Sequence, residues 1–589
     1  MSRTLRFLVS WAVAAVAGAV PAADPAGSAG ATVAEIVLAD PMEGDPGFDL
    51  PGTVKWLRPA YKPLWYQALA GPEAELRMRA AETIARARER GLDDMSDAAP
   101  HLRRALGEEG LRLPVRLAIA RALILIDARD AAPDLVRQAG RGELEMRQLV
   151  EPALAEWDFG PARAVWLERL NAPETPLALL SLAVRCAGVV RETAAAGPLV
   201  SIAESDRFPS GLRLEAARAL ATIRSEGLEE AAGRLAPAGG TVGRLVAASM
   251  LARHSGERTS ALLLDLALDP EPAVAAVALR RLLEIDPNLV VPIAGQVVRS
   301  RDATVRRLGA EALVEVPTPA GVETLEPLLD DPHPDVRAYV CDSLYRLAER
   351  PELDGPVREA GTRMLAGEGW RGLEQAAILL GGLDHEPAAD RLLELLSHPR
   401  PEVMVAAAAA LRRLAIPETL APILAHAERQ TARLRNEGSG VGIDAQHVQI
   451  FQMFGETVYR PADSLLREYV PRQPFFGLRS RAAAVWALGH LHDGEPDAAL
   501  VPELQERLAD IYTMPPEMDD VRRMSAVTLG RMKAGEALPT LREFAAPNGA
   551  RGNVDAACNW AIHRMTGETF PRAEDARVTE TGWFLEPIE

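Results

Sequence analysis

Lysine is almost missing from this chain: Lys55, Lys62 and Lys533 are the only three, so arginine supplies nearly all the positive charge. Cysteine is equally scarce. Cys186, Cys341 and Cys558 lie far apart with no CxxC or CxxCH, which removes the signatures of zinc ribbons, thioredoxin-type redox and haem attachment. Each falls on the apolar side of a predicted helix, where a free thiol behaves as a small buried hydrophobe. Positive charge is in deficit as well, the balance being −18 over 589 residues. Nucleic acids and anionic membranes need a basic surface, so neither is an expected partner. Long apolar runs are missing too. The longest, Phe7 to Val20, has 14 residues, short of the ~20 that a spanning helix requires.

That run follows Arg3 and Arg6 and precedes Val20-Pro21-Ala22, the arrangement of a secretory leader with a small-residue cleavage signal. Residues 1–22 are therefore expected to be removed on export to the periplasm or beyond the cell, which takes the balance to −20. No stable membrane insertion is expected afterwards. P-loop, nucleophile elbow and paired-histidine motifs are not found, and His490 and His492 form a weak metal pair at a helix end. No catalytic residue, metal ligand or cofactor is assigned.

What the chain has in abundance is one pattern. In Leu325 to Glu349, Leu325, Leu328 and Leu329 form an apolar stripe, Asp330-Asp331-Pro332-His333-Pro334 interrupts it, and Val336, Val340, Cys341, Leu344 and Leu347 form a second stripe at helical spacing. Such a hairpin has one apolar face too many to bury alone and must stack on copies of itself. The second stripe, written V-R-x-x-A-A-x-A-L-G, recurs from Leu76, Val115, Met146, Leu179, Leu212, Gly243, Val274, Val305, Val336, Gly372, Val403, Gln446, Ser480, Val521 and Val554. From Leu212 to Val336 the spacing is 31 residues four times running. A single core stops growing at ~250 to 300 residues, so a chain of this length with so few aromatics is read as an all-α solenoid of about fifteen hairpins.

The D-P-x-P-x-V-R turn of Asp331 to Arg337 and the A-A-x-A-L-G core resemble HEAT repeats, particularly the short variety similar to phycobilisome-lyase repeats. The resemblance implies a right-handed superhelix and, for most of that family, a protein-binding scaffold without enzymatic activity. It also implies that the second-position arginines, Arg77, Arg116, Arg147, Arg213, Arg244, Arg306, Arg337, Arg481 and Arg522, pair with turn aspartates such as Asp269, Asp331, Asp519 and Asp520 in a ladder between repeats. A cation in the first helical turn opposes the macrodipole by ~0.3 to 1 kcal/mol, so some compensation is required. The alternative is a bilin-lyase-like or other HEAT-type enzyme with a pocket in the concave face. The iron-dependent hydroxylases of that fold carry several His-Glu pairs, and here only His385-Glu386 occurs.

The repeat divides the chain into the leader, a Gly/Pro-rich linker and cap at 23–63, repeats at 64–427, an insertion loop at 428–445, further repeats at 446–567 and a tail at 568–589. In the cap, Trp56, Tyr61, Trp65 and Tyr66 are expected to cover the end of the stack. Arg429, Arg433 and Arg435 make the insertion locally basic, as suits a partner contact on a mobile loop. Residues 446–589 hold thirteen aromatics against seven in residues 67–445. Trp486 and Trp560 fall at the seventh position of their helices, where other copies carry Arg218, Glu311 or Asp342. With Phe475 and Phe476 they are expected to form an apolar contact surface for a protein partner. The tail, with Trp583 and Phe584, is expected to dock on the final repeat.

Overall fold

The computed structural model describes residues 31–586 apart from Ser439, so the leader lies outside the described residues. A short helix, Val33–Val37, comes first, and thirty further helices among the described residues form fifteen antiparallel pairs, units 1 to 15. Unit 1 is Tyr61–Ala70 with Ala74–Glu89, unit 9 ends in Pro334–Leu347, and unit 15 is Leu538–Phe544 with Asn553–Thr566. Each of the fifteen motif starts lies one to three residues inside the second helix of its unit. No described helix is long and apolar enough to cross a membrane.

Unit 9 shows why the pattern folds this way. Thr318 Oγ1 accepts from the Gly321 N–H at 3.0 Å and Pro319 opens the first helix, where a missing N–H costs nothing. That helix tightens into a 3₁₀ turn, Glu326–Asp330, and Pro334 opens the second helix. Val336, Val340, Leu344 and Leu347 are buried on it. Each such side chain contributes ~1.5 to 3 kcal/mol only once neighbouring units cover it, which couples every hairpin to the next. Cys186, Cys341 and Cys558 are free and buried in the same row. Burial pushes the Cys186 and Cys558 thiols up to about 12.

The second-position arginines resolve their conflict with the helix dipole in two directions. Backwards, they donate to carbonyls at the end of the first helix in their own unit: Arg147 Nε to Ala139 O at 3.1 Å, Arg213 Nε to Ala203 O at 3.0 Å, Arg522 Nε to Leu508 O at 3.0 Å. Forwards, Arg244, Arg306 and Arg481 reach an acid in the loop of the next unit: Asp269, Asp331 and Glu517. Arg77 and Arg116 do the same with Glu108 and Glu143. The rungs are not uniform. Arg213 and Arg522 pair with Asp206 and Asp519 of their own units, Arg147 caps a carbonyl, and Arg337 donates to Asp331 O at 2.8 Å without a carboxylate on it among the described residues.

The buried apolar residues form two cores that meet on the helix Ala303–Glu315 of unit 8: Val305, Leu308 and Ala312 belong to the first, Ala310 and Leu313 to the second. The chain termini are exchanged between them. Val33, Val37 and Met42 from the N-terminal segment lie in the C-terminal core, whereas Trp583 from the tail lies in the N-terminal core.

Three boundaries read from the sequence change accordingly. Residues 32–49 are not a free linker but are laid along units 9 to 14. The 428–445 insertion is not a loop. Its first ten residues lengthen the helix Pro417–Glu437, because Thr431 and Leu434 continue the buried stripe of Ile423 and Ala427. The tail docks on the final repeat only at its start, and its end reaches unit 1. Ala573 is buried beside Gly549 of unit 15, but Trp65 of unit 1 donates its indole N–H to Phe584 O at 2.5 Å and lies 5.8 Å from the Trp583 ring. Between these points the strand Ala576–Thr579 pairs in parallel with Thr53–Trp56. Ten extended residues span at most ~36 Å, so a stack ~150 Å along its path curves until its ends are bridged by two strands.

Candidate functional site: the second-helix face

Second helices pack on second helices more closely than first on first, because small residues meet between them. A Cβ on Gly188 would sit 2.9 Å from Ala219 Cβ, one on Gly381 2.9 Å from Ala410 Cβ, and one on Gly530 2.7 Å from Ala561 Cβ. Real Cβ atoms do not approach so far, so glycine is what lets the helices close up. The row with the shorter spacing is the inside of the curve, and its exposed positions line the groove.

Along units 9 to 14 that groove is filled by residues 32–49 of the same chain. Thr32 and Glu35 form a capping box that starts the helix Val33–Val37, and Asp342 Oδ1 accepts from the Val33 N–H at 3.1 Å. Val33 and Val37 seat on unit 10, against Gly382 and Gly381. Arg412 of unit 11 donates to Val37 O at 3.2 Å and Ala39 O at 2.8 Å. Asp40 accepts from Gln452 and Arg479 of units 12 and 13, each at 2.5 Å. Asp45 accepts from the Trp486 indole N–H at 3.1 Å, lies 3.0 Å from His490 Nε2, and pairs with Arg531 of unit 14. Burial pushes the Asp45 carboxyl up, but His490 and Arg531 outweigh it and hold the group well below the usual carboxylate range. Arg523 closes the run by donating to Glu43 O at 2.8 Å and Pro46 O at 3.2 Å beneath the Phe48 ring.

Units 1 to 3 present the same face uncovered. A cavity of about 780 Å³ opens there, floored by Met78, Leu117, Ala118 and Leu149 and rimmed by Glu82, Arg86, Arg121 and Glu145. Its walls come from the three second helices Ala74–Glu89, Leu113–Leu125 and Leu144–Glu156.

The residues singled out from the sequence are dispersed by the structure. Trp486 does face the groove, yet it is 1% exposed beneath Asp45, so it offers no free contact surface. Phe476 is buried, stacked on Tyr469 at 4.0 Å with Phe475 edge-on at 4.7 Å, which makes the two phenylalanines core packing. Trp560 is half-buried over the close contact at Gly530, with Arg564 5.5 Å from its ring. Arg429, Arg433 and Arg435 lie on the lengthened helix, exposed, and two are paired, Arg433 with Glu437 at 2.8 Å and Arg435 with Glu468. His490 and His492 serve different acids, Asp45 and Asp463, the latter at 2.6 Å, and share no site. His385 sits in a turn 3.4 Å from Thr362. The one cluster of metal-ligand type among the described residues is Asp93, Asp94 and Asp97, where Lys62 already lies 2.9 Å from Asp93 and from Asp97.

Sequence reasoning misses the groove occupant because its acids and glycines look like linker. The available signal is the Thr32-x-x-Glu35 box around Val33 and Val37, a helix start outside the repeat pattern.

Comparison with known proteins agrees with this architecture. The HEAT repeat family matches residues 322–350. No curated protein matches the chain in sequence. Among solved structures, Kap95p in a study of its binding to RanGDP is 13% identical with a TM-score of 0.52, over 86% of this chain and 72% of that one. Importin beta crystallised from ammonium sulfate is 14% identical with a TM-score of 0.50, over the same shares. At such identities the likeness is one of fold.

Proposed function

We propose that this HEAT-repeat solenoid is an exported, non-enzymatic scaffold that holds a protein partner on the open inner face of units 1 to 3. The observation that carries this reading is the uncovered cavity there. Met78, Leu117 and Leu149 give an apolar floor inside a mixed-charge rim, the make-up of an interface centre with a polar border. Kap95p, a solenoid of the same fold, binds RanGDP, which supports the use of such a stack for protein partners. Export rests on the leader pattern of residues 1–22, and the free face would then meet a periplasmic or secreted protein. The test is affinity capture from the native envelope fraction with the unaltered chain and with Leu117→Asp. The side chain is part-exposed, so the fold should survive. A partner retained by the first and lost with the second supports the reading. Equal retention by both, or no partner in an envelope fraction that contains the chain, contradicts it.

A further inference from the structure

We propose that the groove of units 9 to 14 is a docking site for an acidic peptide of a protein partner that opens with a helical turn, and that residues 32–49 occupy it as a built-in competitor. The inference goes beyond the open face of units 1 to 3 and does not depend on it.

The first observation is how the segment is read. Four of its contacts are to main-chain carbonyls, those of Val37 and Ala39 from Arg412 and those of Glu43 and Pro46 from Arg523. Any chain that follows the same short helical turns presents such acceptors, so these arginines do not demand this sequence. Selectivity rests on three apolar seats, filled by Val33, Val37 and Met42, and on carboxylates at Asp40 and Asp45. A ligand needs two apolar side chains four residues apart on a helical turn, a third apolar side chain five residues after the second, and acids three and eight residues after the second.

The second is that the fit is incomplete. Arg523 Nε and Arg531 Nη1 are buried with no hydrogen-bond partner among the described residues. Arg523 is 7% and Arg531 6% exposed, and burial draws the Arg523 guanidinium below its ordinary range. Buried donors left unmade weaken a complex. A peptide with a further carboxylate at the unit 14 end would satisfy them better than the resident segment does.

The third is charge. With the segment withdrawn, Arg412, Arg479, Arg523 and Arg531 would line one stripe of a chain whose net charge is −18. Such a stripe exchanges one acidic occupant for another more readily than it stands empty. Covalent attachment raises the segment's effective concentration, so weak seating is enough to keep the groove closed until a better ligand arrives.

The experiment uses the full chain and a fluorescent peptide of residues 31–50, followed by anisotropy. Unaltered protein should bind it weakly. Asp45→Arg, which disrupts the segment but not the groove, should bind at least tenfold tighter, and adding Arg531→Glu should abolish the gain. An unrelated peptide with the same apolar and acidic spacing should displace the probe, whereas its Asn-for-Asp version should not. Should Asp45→Arg not fold, a chain with a protease site replacing Pro51-Gly52, cut after folding, takes its place and should exchange its segment for the probe. Equal binding by unaltered and released chains, or no displacement by the patterned peptide, overturns the proposal. So does self-association of the released chain at the same concentrations, because the occupant would then be a second copy.

Discussion

Units 1 to 3 and units 9 to 14 are built from one repeat and differ in what lies on the inner face. In the first the face is open over Met78, Leu117 and Leu149, and in the second it is covered by residues 32–49. The repeat itself carries no instruction to be covered. That comes from side chains off the consensus: Arg412, Gln452, Trp486, Arg523 and Arg531 all turn toward one segment. A solenoid thus fixes shape with the residues its units share and fixes contacts with those they do not.

The largest effect is expected in the arginine ladder, between rungs that end on a buried acid and rungs that end on a carbonyl, both of which occur in each half. Arg481 and Glu517 are 2% and 1% exposed and pair at 2.8 Å, with Arg507 3.3 Å from the same carboxylate. Arg481→Ala leaves that carboxylate buried with Arg507 as its remaining cation and should cost about 3 kcal/mol, the low end for a broken buried pair. Arg147→Ala in the N-terminal half removes a carbonyl cap without an acid and should cost about 1 kcal/mol. Chemical denaturation of both variants checks the difference, and equal losses would mean the two kinds of rung are equivalent.

Val37→Asp should detach the segment, because the side chain is wholly buried against Gly381. Hydrogen exchange should rise in residues 33–48 and in the facing helix Trp370–Gly382 while units 1 to 8 keep their rates. Exchange that rises everywhere would show that the segment holds the whole stack rather than one face.

Acid should act on the covered half through His447, which burial pushes down to about 3, with His426 adding repulsion. Its ordinary value is about 6.5, so the folded state holds the ring neutral. The stability this contributes is complete above pH 6.5 and falls as pH drops toward 3, by about 1.4 kcal/mol per pH unit. Denaturation at pH 7 and pH 5 should show a smaller loss for His447→Gln than for the unaltered chain. His447 Nδ1 lies 2.9 Å from the Tyr469 hydroxyl, a contact the amide can retain.

At helix ends the two halves should differ least. Second helices close with a left-handed residue in both, Asp127 at φ 52° and Val458 at φ 48° among them. For a β-branched side chain that conformation costs about 1 to 2 kcal/mol, so Val458→Gly should raise the melting temperature slightly, whereas Asp127→Gly also removes the acceptor of the Trp157 indole N–H at 2.7 Å and should leave it unchanged.

The stack is legible in the sequence because its cause is local: an apolar stripe, a proline-bearing stop and a second stripe, repeated, leave few alternatives to piling up. Residues 325–347 show this within one unit. Pairing between distant segments is not legible. Adjacency in the chain points Trp583 to the final repeat, whereas it packs on Trp65, since no local pattern records which end of a curved stack a tail will meet. Register alone places Trp486 on the groove, but register cannot show Asp45 above it. The arginines of residues 428–437 suggest a loop, although Thr431 and Leu434 keep helical spacing with Ile423 and Ala427.

That residues 32–49 lie in the groove of their own chain can be tested with a short bis-maleimide added to the double variant Glu43→Cys, Arg479→Cys, whose native side chains lie 3.2 Å apart at the exposed rim and whose replacement leaves Val33, Val37 and Asp45 in place, the three native thiols being buried. The expected result is a cross-link within one chain, joining positions 43 and 479 at the mass of the monomer. A chain that stays unlinked at these positions, or links only to a second molecule, would show that the segment is not seated there.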